Sequence, residues 1–260
     1  INAWNLDILP FIQFHYSTAD SFLEYVDSEK DLGINMNRTL NFTEHAISLY
    51  SKANQRFGLL KRTCHFIHSI IKKRVLYLAM VRSLFEHCPT VWRPSSNTTI
   101  EKLESIQKRA VKWINGDYTN SYSTDNLLYY NHCKQLDILP IRYRFDYHDL
   151  KLFHLIVHKI SCIELPSYLH FFEGRSRLRF THLDRLSLIS DIVPASRVYG
   201  NGSRRGLVNR YYYRTHLSWN RLPYSLRAVV NPGEFKSKLI DYIWKNLVDH
   251  SHISDSDQSD

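Results

Sequence analysis

At 260 residues, with 43% apolar residues and only 8 Gly and 8 Pro, the chain has the length and composition of one large or two modest globular domains, which excludes a low-complexity polypeptide. No apolar run approaches the ~20 residues of a membrane span, and the start Ile-Asn-Ala-Trp-Asn-Leu-Asp lacks the basic and apolar regions of a signal peptide. The last twelve residues hold four Asp and neither Lys nor Arg, so the net charge of +9 becomes +13 over residues 1–248, a surplus that suits a polyanionic partner better than evenly spread solubility charge.

Residues 11–36 read as two or three short strands: 11–16 and 21–26 around a Ser-Thr-Ala-Asp turn, then 31–36 as a last extended piece. Helical periodicity takes over at Asn41. Asn41 or Thr43 is the expected N-cap of a helix whose apolar stripe is Ala46, Leu49, Ala53, Phe57 and Leu60. Lys61 and Arg62 fall in its last turn, where cations suit the helix dipole. A second helix over 69–88 is predicted with Ile70, Val75, Leu78, Val81 and Phe85 inward, and with Lys72, Lys73, Arg74 and Arg82 outward. Pro89 and Pro94 interrupt the pattern around Trp92.

The third helix is the most sharply patterned. Thr98 or Thr99 opens it, and Ile100, Leu103, Ile106 or Gln107, Ala110 and Ile114 form its stripe. Lys108, Arg109 and Lys112 gather in its second half beside Trp113, a basic cluster of the kind that grips phosphates, with Trp113 itself better placed in the core. At 100° per residue Lys108 and Lys112 lie about 40° apart and Arg109 about 100° from Lys108, so Lys108 and Lys112 are expected to bracket one phosphate while Arg109 reaches a neighbour. Helices over 126–135 and 141–159 follow, the latter opened by Pro140. Residues 173–210 are rich in Arg with little helical period, and Gly-Asn-Gly-Ser-Arg-Arg-Gly, with Arg204 and Arg205, is the candidate basic arm. A final helical unit contains Trp219, expected to pack on Phe235 and Leu239, and the acidic Ser-rich end is expected to be disordered.

Catalytic patterns are missing. Neither the cluster Cys64, His65, His68 nor the pair His154, His158 has a second ligand pair at metal-site spacing, so no metal is expected. The Gly-Asn-Gly turn lacks the Lys-Ser/Thr of a phosphate loop, and no acidic pair stands at a strand-turn-strand junction, so no cofactor is expected either. Cysteines 64, 88, 133 and 162 form no C-x-x-C pair and read as buried thiols of an intracellular, reducing compartment.

Three stretches, 31–62, 76–114 and 211–239, resemble in order the C-terminal part of reverse transcriptases from non-LTR, jockey-like retrotransposons. Asp31-Leu32-Gly33 resembles the Leu-Gly turn at the end of that family's palm, similar to its primer-grip region. Val81-Arg82-Ser83, Glu86, Val91-Trp92 and Pro94 match its second block, and Ile100-Glu101, Glu104, Gln107 and Lys108-Arg109 its third. Trp219-Asn220, Leu222-Pro223 and Phe235-Lys236 match its last. The family's Tyr-x-Asp-Asp would lie before residue 1.

The resemblance implies a palm remnant over 1–38, a helical thumb-like domain over 39–165, a basic irregular connector over 166–215, a helical unit over 216–248 and an acidic tail over 249–260. The expected fold is mainly α with a small N-terminal antiparallel hairpin. The expected role is to hold RNA or an RNA–DNA duplex, beside a polymerase palm, with no catalytic centre and no membrane contact of its own. The expected contacts are Lys72, Lys73, Arg74, Lys108, Arg109, Lys112, Arg204 and Arg205. A transposon relic and a host-recruited basic scaffold are the alternatives.

Overall fold

The computed structural model describes residues 17–18, 21–22, 27–37, 42–118, 122, 126–172, 186–190 and 211–253. The expected arm residues Arg204 and Arg205, the tail beyond residue 253 and the proposed strand 11–16 lie outside them. The fold is mainly helical with a small N-terminal antiparallel sheet, in two compact units, Ile1–Asn41 and Phe42–Asp260.

In the first unit β1 (Ser17–Thr18) pairs with β2 (Ser21–Phe22), and β3 (Ser28–Asp31) pairs with β4 (Ile34–Asn37). Ser17 and Thr18 are therefore strand residues and not the first half of a turn. Residues 31–36 are also not one extended piece. Asp31 closes β3 opposite Ile34, leaving Leu32 and Gly33 as a two-residue turn with φ of 46° and 87°. Left-handed φ at both positions is what the right-handed twist of two strands asks of so short a turn. Gly33 adopts it freely; Leu32 carries roughly 1–2 kcal/mol of strain with its side chain 83% exposed.

The second unit begins with α1 (Thr43–Thr63), whose buried face is the predicted one: Ala46, Leu49, Ala53, Phe57 and Leu60, joined by His45. Phe42 is its N-cap and makes no side-chain cap bond, so Thr43 is the first helical residue and not the cap; Asn41 lies outside the described residues. Helix α2 (Ile70–Tyr77) starts at Ser69, whose hydroxyl accepts the Lys72 N–H at 3.5 Å. It passes through a π turn, Leu78–Arg82, into α3 (Ser83–Glu86). The inward face differs from the predicted one. Ile70 and Val75 are exposed, while Tyr77, Val81 and Phe85 are buried. Those three step by four residues, wider than the 3.6 of an α-helix, and the i→i+5 bonds of the π turn absorb the surplus. Arg82 is thereby carried inward, correcting its expected outward position.

Left-handed Cys88 (φ 45°) leads into α4 (Pro89–Trp92), with Pro at its first position and Trp92 fully buried. Helix α5 (Asn97–Asn115) is central, packing on α1, on α2 and on the later helices α6 (Asn126–Gln135) and α7 (Ile141–Val157). It stops at Gly116 (φ 72°), a left-handed conformation that costs glycine nothing. Strands β5 (Leu169–Phe171) and β6 (Leu188–Ser190) pair antiparallel. Helix α8 (Tyr211–Arg221), which straddles the expected boundary between connector and helical unit, is followed by α9 (Tyr224–Arg227) and α10 (Pro232–Ile253). Phe153 of α7, Trp219 of α8 and Phe235 and Leu239 of α10 share one core.

Of the four thiols only Cys133 is buried; Cys88 and Cys162 are exposed and Cys64 is half-buried, contrary to the expectation of four buried thiols. Among the described residues no helix is long and apolar enough to cross a membrane.

Candidate nucleic-acid interface

Four residues, Arg82, Glu86, Glu104 and Gln107, form a polar network inside the helical unit. The Arg82 guanidinium donates to Gln107 Oε1, to the Leu139 carbonyl at 2.9 Å and to Glu86 at 3.2 Å. Gln107, with no exposed surface, also accepts from the Tyr77 hydroxyl at 3.2 Å, and its amide donates to Tyr129 Oη and the Leu139 carbonyl. Glu104 accepts from the backbone N–H of Ile141 and Arg142, each at 3.2 Å, and so caps the first turn of α7 from another helix. Glu86 takes a two-pronged contact from Arg144 at 2.9 Å and one from His148 Nε2 at 2.6 Å. Burial works to raise the Glu86 pKa, but His148, Arg144 and Arg82 outweigh it and hold the carboxyl well below its usual range. Burial pushes the adjoining Cys133 thiol up to about 12, so it stays protonated and unreactive.

A second network joins α4, α7 and α8. Arg93 donates to Asp146 at 2.7 Å and Asp149 at 2.8 Å, while Arg214 donates to Asp149 at 2.8 Å and to the Thr90 carbonyl at 2.9 Å. Arginines 82, 93, 144 and 214 are thus each ion-paired, sharing the three carboxylates of Glu86, Asp146 and Asp149, and their side chains are taken up by these networks.

The expected contact residues divide. Lys72 is exposed on α2. Lys73 Nζ donates to the Trp113 carbonyl at 3.1 Å and stands 5.4 Å from that ring, and Arg74 binds the Leu136 and Asp137 carbonyls and the Asp137 carboxylate. Lys73 and Arg74 therefore tie α2 to α5 and to the turn after α6. Trp113, 3% exposed and edge-on to Phe57, is a core residue. Lys108 donates to the Tyr122 carbonyl at 3.0 Å and to Asn126 at 3.2 Å, while Lys112 sits 5.0 Å from the Tyr122 ring. The pair does share a direction, as its spacing predicts, but what lies between them is Tyr122.

Arg109 points elsewhere, toward α1, where it donates to Asn54 Oδ1 at 2.8 Å. There α1 and α5 form an open groove of about 480 Å³, lined by Asn54, Gln55, Phe57, Gly58, Lys61, Arg62, Arg109, Lys112 and Tyr118. Lys61 stands 5.9 Å from the rings of both Phe57 and Tyr118. Among the described residues no carboxylate is ion-paired with Lys61, Arg62, Arg109 or Lys112. The C-terminal ends of α1 and α5 each contribute about −0.5 charge, so four cations leave the groove near +3.

Lys61, Arg62 and Tyr118 were not among the expected contacts. The Lys-Arg pair reads in sequence as helix-end charge, and its meeting with Arg109 depends on the packing of α1 against α5. A second cleft of about 460 Å³, between α5, α6 and α7, contains Lys108 and Arg142 but also Glu101 and Glu104, which oppose a phosphate. His154 and His158, with rings 4.6 Å apart, donate through Nε2 to the Val229 and Arg227 carbonyls at 2.7 and 2.9 Å, which ties α7 to the end of α9 and the segment after it. Asp31 ends β3, and Leu32 and Gly33 form the β3–β4 turn of the first unit.

Comparison of the chain with protein families, with curated proteins and with solved structures finds no match in any of the three.

Proposed function

We propose that this chain is a nucleic-acid-binding region of a retrotransposon RNA-directed DNA polymerase, holding RNA or an RNA–DNA duplex through the α1–α5 groove without a catalytic centre of its own. One observation carries the reading: four cations line one groove and, among the described residues, none is ion-paired with a carboxylate, whereas Arg82, Arg93, Arg144 and Arg214 each are. Unneutralised Lys and Arg in a row displace the counterions condensed on a phosphate backbone. The ordered motifs described above supply the polymerase part of the reading, and the β3–β4 turn supplies a hairpin of the primer-grip kind.

Ultraviolet cross-linking of a primed RNA template tests it. Cross-linked peptides should come from residues 54–62 and 109–118, and the same chain given Mg²⁺ and deoxynucleotides should not extend the primer. Cross-links spread evenly over the surface would contradict the groove, and extension by the purified chain would contradict the absence of a catalytic centre.

A further inference from the structure

We propose that the groove takes an unpaired nucleotide, its base against the Tyr118 ring and its flanking phosphates on Arg62, Arg109 and Lys112; this rests on the nucleic-acid reading above and narrows its ligand to a single strand.

One ring of the groove stands in an unusual place. Tyr118 is 60% exposed, while the neighbouring rings of Phe57, Trp113 and Tyr122 are 3%, 3% and 2% exposed. The ring surface that this part of the molecule offers to a ligand is therefore Tyr118's. Its position is built by the fold. Gly116, at φ 72°, ends α5 and turns the chain, and two residues later Tyr118 stands beside Lys61 of α1, 5.9 Å from ammonium to ring centroid. An exposed aromatic gains nothing from a double helix, whose base faces are stacked on one another. A single strand presents base faces, and a base on an aromatic ring beside cations is the usual combination for unpaired nucleic acid.

The other dimensions agree. A groove of about 480 Å³ lies in the ~300–1,000 Å³ range of sites for molecules of nucleotide size. Arg109 is oriented by Asn54 at 2.8 Å, a neutral partner that fixes the guanidinium and leaves its charge unspent. Phosphate oxygens suit a guanidinium of this kind, which offers several N–H donors in one plane. On a primed template the matching element is the unpaired template strand beside the duplex.

Fluorescence anisotropy with three probes tests the inference: a 12-nucleotide oligouridylate, a 12-base-pair RNA duplex, and inorganic polyphosphate of matched charge. Tyr118→Leu should weaken oligouridylate binding about tenfold and leave the other two unchanged, and Tyr118→Phe should retain wild-type affinity. Because the ring is exposed, the melting temperature of Tyr118→Leu should stay at the wild-type value, which separates lost stacking from lost structure. Equal weakening of all three probes, or no weakening of any, would overturn the Tyr118 role while leaving the groove as a polyanion site. Failure of wild-type protein to bind any of the three would overturn the nucleic-acid reading as well.

Discussion

Arg82 and Arg109 are the same side chain in opposite circumstances. Arg82 is 4% exposed and bonded to Gln107, Glu86 and the Leu139 carbonyl, so its loss removes three charge-assisted bonds from the interior, although Glu86 keeps Arg144 and His148 and Gln107 keeps Tyr77. Arg82→Ala should cost roughly 1.5–3 kcal/mol in urea unfolding. Arg109→Gln, at an exposed position with a neutral partner, should stay within about 0.5 kcal/mol of wild type and lose only affinity. Gly58 offers a change of the opposite sign. It lies inside α1 on the groove lining, and a methyl group placed there meets nothing within 4 Å. Gly58→Ala should therefore raise stability by roughly 0.5–1 kcal/mol through helix propensity alone. No gain would mean that the helix needs glycine there for a reason packing does not reveal.

The helices around α7 behave as a unit because their contacts converge on Trp219. The ring is fully buried, lies 5.7 Å from Phe153 and 6.0 Å from Phe235, and donates through Nε1 to the Leu186 carbonyl. Trp219→Ala should cost roughly 3–5 kcal/mol without a specific loss of RNA affinity. This unit is also where acid should act. Burial holds His154 and His216 below the ordinary 6.5, so stability is complete above that value and falls as pH drops through their folded values. Glu86, held below its ordinary 4.5, removes further stability in the window beneath that pH. The urea midpoint should thus be flat from pH 8 to 7, decline below about 6.5 and steepen below about 4.5; a rise on acidification would contradict these assignments. Much of this architecture is legible in the sequence. The stripe of α5 and the shared inward face of Phe235 and Leu239 follow from 3.6-residue spacing. The α2 face does not, because a π turn shifts Tyr77, Val81 and Phe85 to a four-residue step. The groove does not either: Arg109 and Asn54 meet across 55 residues of chain, a separation that no local pattern encodes.

For the molecule as a whole, the question is where its positive surplus is free to act. The net charge of +9 is distributed unevenly in function: arginines 82, 93, 144 and 214 are spent inside, and Lys73, Arg74 and Lys108 hold neighbouring backbone and side chains. The groove cations are ion-paired with no carboxylate among the described residues and are gathered in one place. The decisive measurement is the salt dependence of binding to a single-stranded RNA, for wild type and for two quadruple Gln variants. One replaces Lys61, Arg62, Arg109 and Lys112; the other replaces Lys134, Lys159, Lys236 and Lys245, all exposed and outside the groove lining. With four phosphates neutralised, log affinity against log salt should slope at about −3 for wild type, because each phosphate on a single strand contributes about −0.7. The groove variant should flatten to about −1 or less and the control should keep the wild-type slope. Equal flattening of both would mean that binding follows net charge spread over the surface, and the groove would lose its role.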